Sequence, residues 1–138
     1  MAAFARAAGH RFAVRINAPA CTMALMGTFQ KLVAWQEAQA LAAEVYRVSA
    51  QFPTAERFGL TSQLRRAAVS VPSNLAEGVG RGSGPALRAF ARISRGSLQE
   101  LCSQLLLAQT LGYLDGEKTE AVLARAARVG RLLSGLSR

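Results

Sequence analysis

Apolar residues recur at intervals of three and four along most of the chain, and this spacing constrains the fold more than any other feature. After residue 28 the spacing forms four stripes, and each stripe would run along one face of a helix. A stripe on a lone helix faces water, whereas four stripes can share one core. The sequence therefore predicts an all-α fold, an antiparallel up-and-down four-helix bundle with long helices.

Proline, glycine and short polar residues separate the stripes and predict where the helices begin and end. Pro53 ends the first helix, and Thr54 is a plausible N-cap of the second. Pro72 lies inside the second helix, where it removes a backbone hydrogen bond, so we expect a kink there. The other predicted boundaries are Gly78, Gly80, Gly82 and Gly84 at the end of the second helix, Ser83 and Pro85 at the start of the third, Gly112 at its end, and Asp115 at the start of the fourth.

The composition favours helices and provides no membrane span. The chain has 27 Ala and 18 Leu, both strong helix formers, against 11 Ile and Val together, which favour strands. The longest unbroken aliphatic runs, Leu105 to Ala108 among them, are far shorter than the ~20 residues that cross a bilayer. We therefore expect no transmembrane helix and no membrane partner.

The residues that carry most enzyme and metal chemistry are scarce. The two cysteines, Cys21 and Cys102, cannot hold a metal alone, and the one histidine, His10, lies in an irregular stretch. Asp115 is the one aspartate. Hydrolase, transferase and metal-assisted mechanisms thus lose their usual residues. We expect no enzyme activity, no cofactor and no metal, and a role in binding or assembly.

The first 28 residues differ from the rest of the chain. They contain three arginines, no acid and no sustained apolar period. We expect residues 1–28 to form a disordered basic arm that precedes a four-helix bundle domain at 29–138. The arm is also open to interpretation as a targeting peptide, although its apolar stretches are too short for a secretory signal. A third interpretation is that translation starts at Met23 or Met26.

Positive charge concentrates in the middle of the chain. Of the formal charge of +9, residues 57 to 99 contribute +6, because seven arginines in that window stand against Glu77 alone. Arg88, Arg92 and Arg95 fall at i, i+4 and i+7, so they share one face of the third helix. The residues that we predict to bind nucleic acid or a partner are Arg65, Arg66, Arg81, Arg88, Arg92 and Arg95.

Arginine makes up 15 of the 17 basic residues, and its planar guanidinium binds phosphate or carboxylate through parallel hydrogen bonds. This favours RNA, DNA or an acidic protein as the partner. Two other interpretations stay open: a solvated face in a chain whose composition reflects coding bias, or contact with a membrane surface. Trp35, Tyr46 and Phe90 are better explained by bundle packing than by base stacking.

Polar residues follow a line at i, i+7, i+11 and i+14 of the second helix, and a similar line lies on the third. Such groups can hydrogen-bond between helices and fix their register. Simple exposure and a catalytic use of Glu77 and Glu100 are the alternatives, but the Glu-x-x-His ligands of di-iron bundles are absent. The predicted structural polar network or interface comprises Gln63, Ser70, Asn74, Glu77, Ser97 and Glu100.

Several stretches together resemble a known family. They are KLVAWQEA at 31–38, Phe52-Pro53 with Glu56, FGLTSQLRRAAVSVPSNLAEG at 58–78, Gly96-Ser97 with Glu100, and Leu111-Gly112-Tyr113. Over residues 29 to 136 the chain resembles the 23S rRNA intervening-sequence proteins, also called four-helix bundle proteins. The segment from Gln63 to Glu77 and the pair Gly96-Ser97 are the family signature.

The resemblance implies a bacterial, cytoplasmic, non-catalytic bundle that assembles as a ring, with a homopentamer expected. The family is related to the accessory variability proteins of diversity-generating retroelements, basic pentamers that bind a reverse transcriptase and nucleic acid. Our first hypothesis is therefore a homo-oligomer that binds nucleic acid or a reverse-transcriptase or ribonucleoprotein partner through an arginine-rich face. The alternative is an oligomeric adaptor that docks an acidic protein and has no direct nucleic-acid role.

Overall fold

Four long helices make up most of the computed structural model, which describes residues 28–138. They are α1 (Val33–Ser49), α2 (Leu60–Gly80), α3 (Gly84–Thr110) and α4 (Gly116–Leu136). Short 3₁₀ turns at Phe29–Lys31 and Thr54–Glu56 complete the regular structure of these residues. The all-α, four-helix prediction is confirmed. The predictions for the basic arm, for its alternative start sites, and for His10 and Cys21 lie outside the described residues.

The helices pack in a ring, with α1 and α3 each lying against both α2 and α4. Leucine and valine side chains from all four fill the centre, and burial of each side chain of this size contributes about 1.5–3 kcal/mol to folding. The residues that lose all contact with solvent include Leu41, Val45, Leu64, Val71, Leu75, Leu101, Leu105, Val122, Val129 and Leu133.

The antiparallel order of the helices and the kink at Pro72 stay predictions. One hydrogen bond joins Ser70 of α2 to Ser97 of α3, and Gly78 further along α2 lies against Phe90, which precedes Ser97. Rising numbers on α2 thus meet falling numbers on α3, in agreement with an antiparallel order. Pro72 is buried inside α2, which continues as one helix on both sides of it.

The predicted start of the second helix at Thr54 is wrong. Residues Thr54–Glu56 form a single 3₁₀ turn, and α2 begins at Leu60. The carboxylate of Glu56 accepts a hydrogen bond from the Leu60 backbone N–H at 2.8 Å, so it occupies one free donor of the helix start. A Cβ atom on Gly59 would lie 2.5 Å from this carboxylate, so the glycine leaves room for the cap.

Gly78 was predicted to help end the second helix, and this is also wrong. It lies inside α2 and is buried, and a Cβ atom there would stand 2.8 Å from the Phe90 Cβ atom. The glycine therefore allows α2 and α3 to approach closely. Gly80 is the last residue of α2, Gly82 turns the chain with φ +72°, and Gly84 already belongs to α3.

The first helix ends at Ser49, four residues before the predicted stop at Pro53, whereas the predicted start of α3 and the boundaries at Gly112 and Asp115 are confirmed. Ser83 caps α3 by accepting a hydrogen bond from the Ala86 N–H at 3.1 Å, and Asp115 caps α4 by accepting one from the Lys118 N–H at 2.8 Å. Gly112, with φ +77°, follows the end of α3. Among the helices of residues 28–138, none combines the length and the hydropathy that a bilayer crossing requires.

Candidate nucleic-acid interface

The six predicted arginines do not share one surface region, and three of them line two separate grooves of the bundle. Arg65 and Arg66 line a groove between α1 and α2, whereas Arg95 lines a groove between α3 and α4. The two seams share no helix, so in a ring of four helices they face opposite ways. The charge of the 57–99 window is therefore distributed over two sides of the molecule.

The groove that Arg95 lines lies between α3 and α4 and encloses about 690 Å³. It is lined by three arginines and by the polar groups of Gln99, Cys102 and Ser134, and its lining residues, all in the described part of the chain, include no acid. Burial raises the pKa of the Cys102 thiol above its ordinary value. The arginines of the lining are Arg95, Arg131 and Arg138.

Two more arginines of α3 extend this basic region. Arg92 donates a hydrogen bond from Nη2 to the carbonyl oxygen of Ser137, the residue that follows α4, at 3.2 Å. Arg88, exposed, precedes it by one helical turn on the same face. The arginines that form ion pairs within residues 28–138 are Arg81, Arg125 and Arg128, none of which belongs to this region. The α3/α4 arginine surface thus comprises Arg88, Arg92, Arg95, Arg131 and Arg138.

The groove that Arg65 and Arg66 line lies beside the start of α2 and encloses about 670 Å³. We call it the Phe58 groove. Its arginines alternate with aromatic rings, and its lining, which lies wholly within the described residues, contains no acid. Its chemistry-bearing residues are Tyr46, Arg57, Phe58, Arg65 and Arg66.

Guanidinium groups stack on both rings of the Phe58 groove. The Arg65 guanidinium carbon lies 4.6 Å from the centre of the Tyr46 ring, and that of Arg57 lies 5.2 Å from the centre of the Phe58 ring. Arg65 also donates from Nε to the Ser49 hydroxyl at 2.9 Å. Tyr46 was predicted to pack in the bundle, but 45% of it is exposed.

Glu56, the acid nearest to this groove in sequence, is engaged elsewhere. One carboxylate oxygen caps α2, and the other accepts a hydrogen bond from the Tyr113 hydroxyl at 3.2 Å. Loss of hydration raises the pKa of Tyr113 above its ordinary value, and the hydrogen bond and negative charge of Glu56 raise it further. The capping role of Glu56 leaves the arginines of the groove free for another anion.

The remaining predicted binding residue, Arg81, has a carboxylate partner. Its Nη2 atom lies 2.7 Å from the Glu77 carboxylate, one turn back on α2, and its guanidinium lies 5.0 Å from the centre of the Phe90 ring. Glu77, the one acid of the 57–99 window, therefore pairs with Arg81 and with no residue of either groove.

Ion pairs occupy the seam between α1 and α4. The Arg125 Nε atom lies 2.6 Å from the Glu44 carboxylate, and Arg128 lies 3.1 Å from that of Glu37. These two acids are residues of α1, and they neutralise two arginines of α4. Arg131 of α4 and Arg138, which follows the end of α4, line the groove on the α3 side.

Three of the six residues of the predicted polar network are bonded to one another across α2 and α3. The Ser70 and Ser97 hydroxyls are 2.8 Å apart, and the Asn74 amide donates to the Ser70 hydroxyl at 3.0 Å. The other three lie outside this cluster: Gln63 is exposed, Glu77 pairs with Arg81, and Glu100 accepts from the Gln104 amide at 3.0 Å.

The two glutamates considered as a catalytic pair each have a partner one turn away on their own helix, Arg81 for Glu77 and Gln104 for Glu100. In the described residues no group of three or more His, Cys, Asp or Glu residues is placed to hold a metal ion. The geometry thus gives more support to the arginine grooves as the candidate site than to these carboxylates.

The sequence interpretation missed several groove residues. Arg131 lies on α4 and Arg138 directly follows the C-cap of that helix, and both belong to a C-terminal stretch of arginines that could have been noticed. Arg57 was counted in the basic window but was not selected. Phe58 belongs to none of the apolar stripes, and a large apolar residue outside every stripe is itself a signal of exposure.

The fold and the grooves define a helical bundle whose α1/α2 and α3/α4 seams carry unpaired arginines, within the described part of the chain. Its sequence matches the model of a family over residues 30–135. The chain belongs to the 23S rRNA-intervening sequence protein family. No curated protein shows a significant match to it.

Proposed function

We propose that this bundle binds nucleic acid through the α3/α4 arginine surface. The observation that carries the proposal is the groove lined by Arg95, Arg131 and Arg138, which has no acid among its described lining residues. Like charges in one groove repel, and a polyanion offsets that repulsion. Phosphates accept parallel hydrogen bonds from guanidinium groups and match this surface chemically.

A pair of double variants with equal changes in charge tests the proposal. Arg95→Ala with Arg131→Ala removes two arginines from the groove, whereas Arg47→Ala with Lys118→Ala removes two cations that lie outside both grooves. Loss of a phosphate contact weakens binding because fewer counterions are released. In a filter-binding titration with duplex RNA or DNA, we expect the groove variant to bind at least about tenfold more weakly.

The control variant should stay within about twofold of the wild type, since it loses charge without losing phosphate contacts. Equal weakening by both variants would mean that net charge alone governs binding, and an absence of wild-type binding at low salt would refute the proposal. Circular dichroism of each variant checks that the helices are retained.

Docking of an acidic protein is the second candidate function, and a separate observation favours it. The α1/α2 seam continues from the Phe58 groove into an apolar groove of about 480 Å³, lined by Phe29, Trp35 and Pro72 among others. A helix with apolar and acidic faces would match such a surface. A reverse transcriptase or a ribonucleoprotein belongs among the candidate partners. A stoichiometric partner that survives nuclease treatment in a pull-down would favour this function.

Self-assembly, with a cytoplasmic homopentamer as the expected form, belongs to the same proposal. It is supported by the family resemblance and by apolar residues on α3 and at its C-cap, each about half exposed. Contiguous exposed apolar residues often mark protein interfaces. Light scattering tests this point, and a monodisperse monomer would contradict it. The exposed residues are Ile93, Leu106, Leu107 and Leu111.

A further inference from the structure

We infer that the Phe58 groove binds single-stranded nucleic acid, with an unpaired base stacked on Phe58 and phosphates held by Arg57, Arg65 and Arg66. This inference rests on the proposed nucleic-acid function and adds to it a second site with a different preference. The α3/α4 arginine surface would hold phosphates of either a duplex or a single strand, whereas the Phe58 groove would select unpaired strands.

The exposure of the Phe58 ring is the first observation that supports this site. Phe58 is 87% exposed, the largest exposed fraction among the exposed large hydrophobic residues of the described chain. A phenylalanine in water contributes little to the core, so folding alone does not account for its placement. The ring lines the groove together with three arginines.

The backbone around Phe58 is held in place by contacts that do not involve its side chain. Glu56 reaches past it to accept a hydrogen bond from the Leu60 N–H at 2.8 Å, and to accept another from Tyr113 at 3.2 Å. Gly59 leaves room for that carboxylate. Because neighbours on both sides fix the turn, the ring is presented outward with little freedom of the backbone to lose on binding.

The arginines of the groove add the second half of a single-strand site. Arg65 is oriented by its hydrogen bond to Ser49 and by the Tyr46 ring, and Arg57 lies over one side of Phe58. Proteins that bind single strands combine a basic groove for the backbone with aromatic rings and guanidinium planes on which bases stack. The Phe58 groove contains these components together.

Base pairing explains why the groove would prefer single strands. In a duplex the faces of the bases stack on one another and are closed to a protein ring, whereas an unpaired base exposes both faces. An acidic helical peptide is the competing occupant, because the apolar groove adjoins at Tyr46 and Val69. The most exposed ring lies at the arginine end of the seam, and this favours the nucleic acid.

The test measures binding of the full chain to a 12-nucleotide single-stranded RNA and to a duplex of the same length by fluorescence anisotropy. Three variants are compared with the wild type. Phe58→Ala removes the ring, Phe58→Trp replaces it with a larger one, and Val33→Ala shortens an exposed apolar side chain that lies outside the grooves. Because Phe58 and Val33 are exposed, all three variants should fold, and thermal unfolding checks this.

Stacking of one base on an aromatic ring changes affinity by about tenfold. We therefore expect Phe58→Ala to weaken single-strand binding by about tenfold and to leave duplex binding within about twofold, whereas Phe58→Trp retains or strengthens it. Val33→Ala should match the wild type with both ligands. As a direct readout, RNA that carries 5-iodouridine should form a photocrosslink at Phe58.

Three outcomes would overturn the inference. If Phe58→Ala leaves single-strand binding unchanged while the Arg95 and Arg131 variant loses it, the proposed function stands and the second site does not exist. If the wild type binds no nucleic acid, both proposals fail together. If a peptide of glutamate and leucine binds the wild type but not Phe58→Ala, while RNA binding is unaffected by that substitution, the groove docks a protein.

Discussion

The two arginine grooves have similar charge and differ in what surrounds it. The Phe58 groove combines three arginines with two aromatic rings, whereas the α3/α4 groove combines three arginines with one amide, one hydroxyl and one thiol. Charge attracts a phosphate backbone, but rings are needed to recognise an unpaired base. The difference teaches that the net charge of a chain says little about specificity until the neighbours of each arginine are known.

The grooves also differ in what opens them. Small residues of α4, among them Ala126, Ala127 and Gly130, leave the α3/α4 groove open, and a Cβ atom on Gly130 would stand 3.4 Å from a Leu98 methyl group. The Phe58 groove is shaped by the turn before α2 instead. One groove is therefore set by helix packing, and the other by a loop that Glu56 holds in place.

The largest expected effect comes from placing an acid in the α3/α4 groove. Ala127→Glu adds a carboxylate beside the groove arginines, so it should pair with them and repel phosphate. Duplex binding, measured by filter titration, should weaken about tenfold or more. Ala124→Glu makes the same change of charge one turn away, outside the lining, and should cost no more than about twofold. Equal losses would mean that the groove is not the binding surface.

Adding a ring to the α3/α4 groove should reduce the difference between the grooves. Gln99 is exposed in its lining, and Gln99→Trp supplies the platform for a base that this groove lacks within the described residues. We expect single-strand affinity to rise about fivefold with little change for the duplex, in parallel anisotropy titrations. Gln109→Trp, on the same helix but outside the lining, is the matched control. A gain of the same size in both variants would argue for non-specific stacking.

Removing the Glu56 carboxylate should damage the Phe58 groove and spare the other. Glu56→Ala deletes the cap on the Leu60 N–H, so the free energy of unfolding should fall by about 1 kcal/mol in urea denaturation. Single-strand binding should weaken because the turn that presents Phe58 loosens, while duplex binding persists. Glu120→Ala, at an exposed acid of α4, controls for the change of charge. Loss of duplex binding in Glu56→Ala would contradict the independence of the grooves.

The smallest expected effect concerns pH. Because the pKa of Tyr113 is raised in the folded chain, the phenol keeps its proton there at pH values where the unfolded chain has lost it. This contribution to stability is present below the ordinary tyrosine pKa and is lost as pH rises through that value toward the raised one. Tyr113→Phe should remove this alkaline loss of stability in thermal unfolding series. An identical alkaline slope in the variant would assign the loss to other groups.

The helix ends that depend on local contacts could be predicted from the sequence. Ser83 and Asp115 cap their helices through N–H groups three residues away, so the local pattern contains the whole signal. The start of α2 could not be predicted in this way, because Glu56 reaches four residues forward and also bonds Tyr113 from a distant loop. Gly78 has its role only because Phe90 of another helix lies against it.

The sequence predicted that arginines make up the candidate site, but it did not predict which arginines lie together in the folded chain. A charge window along the chain groups Arg66 with Arg95, which helix packing places on opposite seams. The charge window also omits Arg131, which lies more than thirty positions after Arg95 in the sequence and lines the same groove. Contacts between distant segments decide both points, and a pattern read along one segment contains neither.

The salt dependence of wild-type binding tests the central claim most directly, that the five arginines of the α3/α4 surface contact phosphates. Each contact with a duplex contributes about −0.9 to the slope of log K against log salt concentration, so five contacts predict a slope of about −4.5. The variant with Arg95→Ala and Arg131→Ala should reduce the slope to about −2.7, and the variant with Arg47→Ala and Lys118→Ala should leave it unchanged. A wild-type slope near zero, or an equal reduction in both variants, would contradict the account.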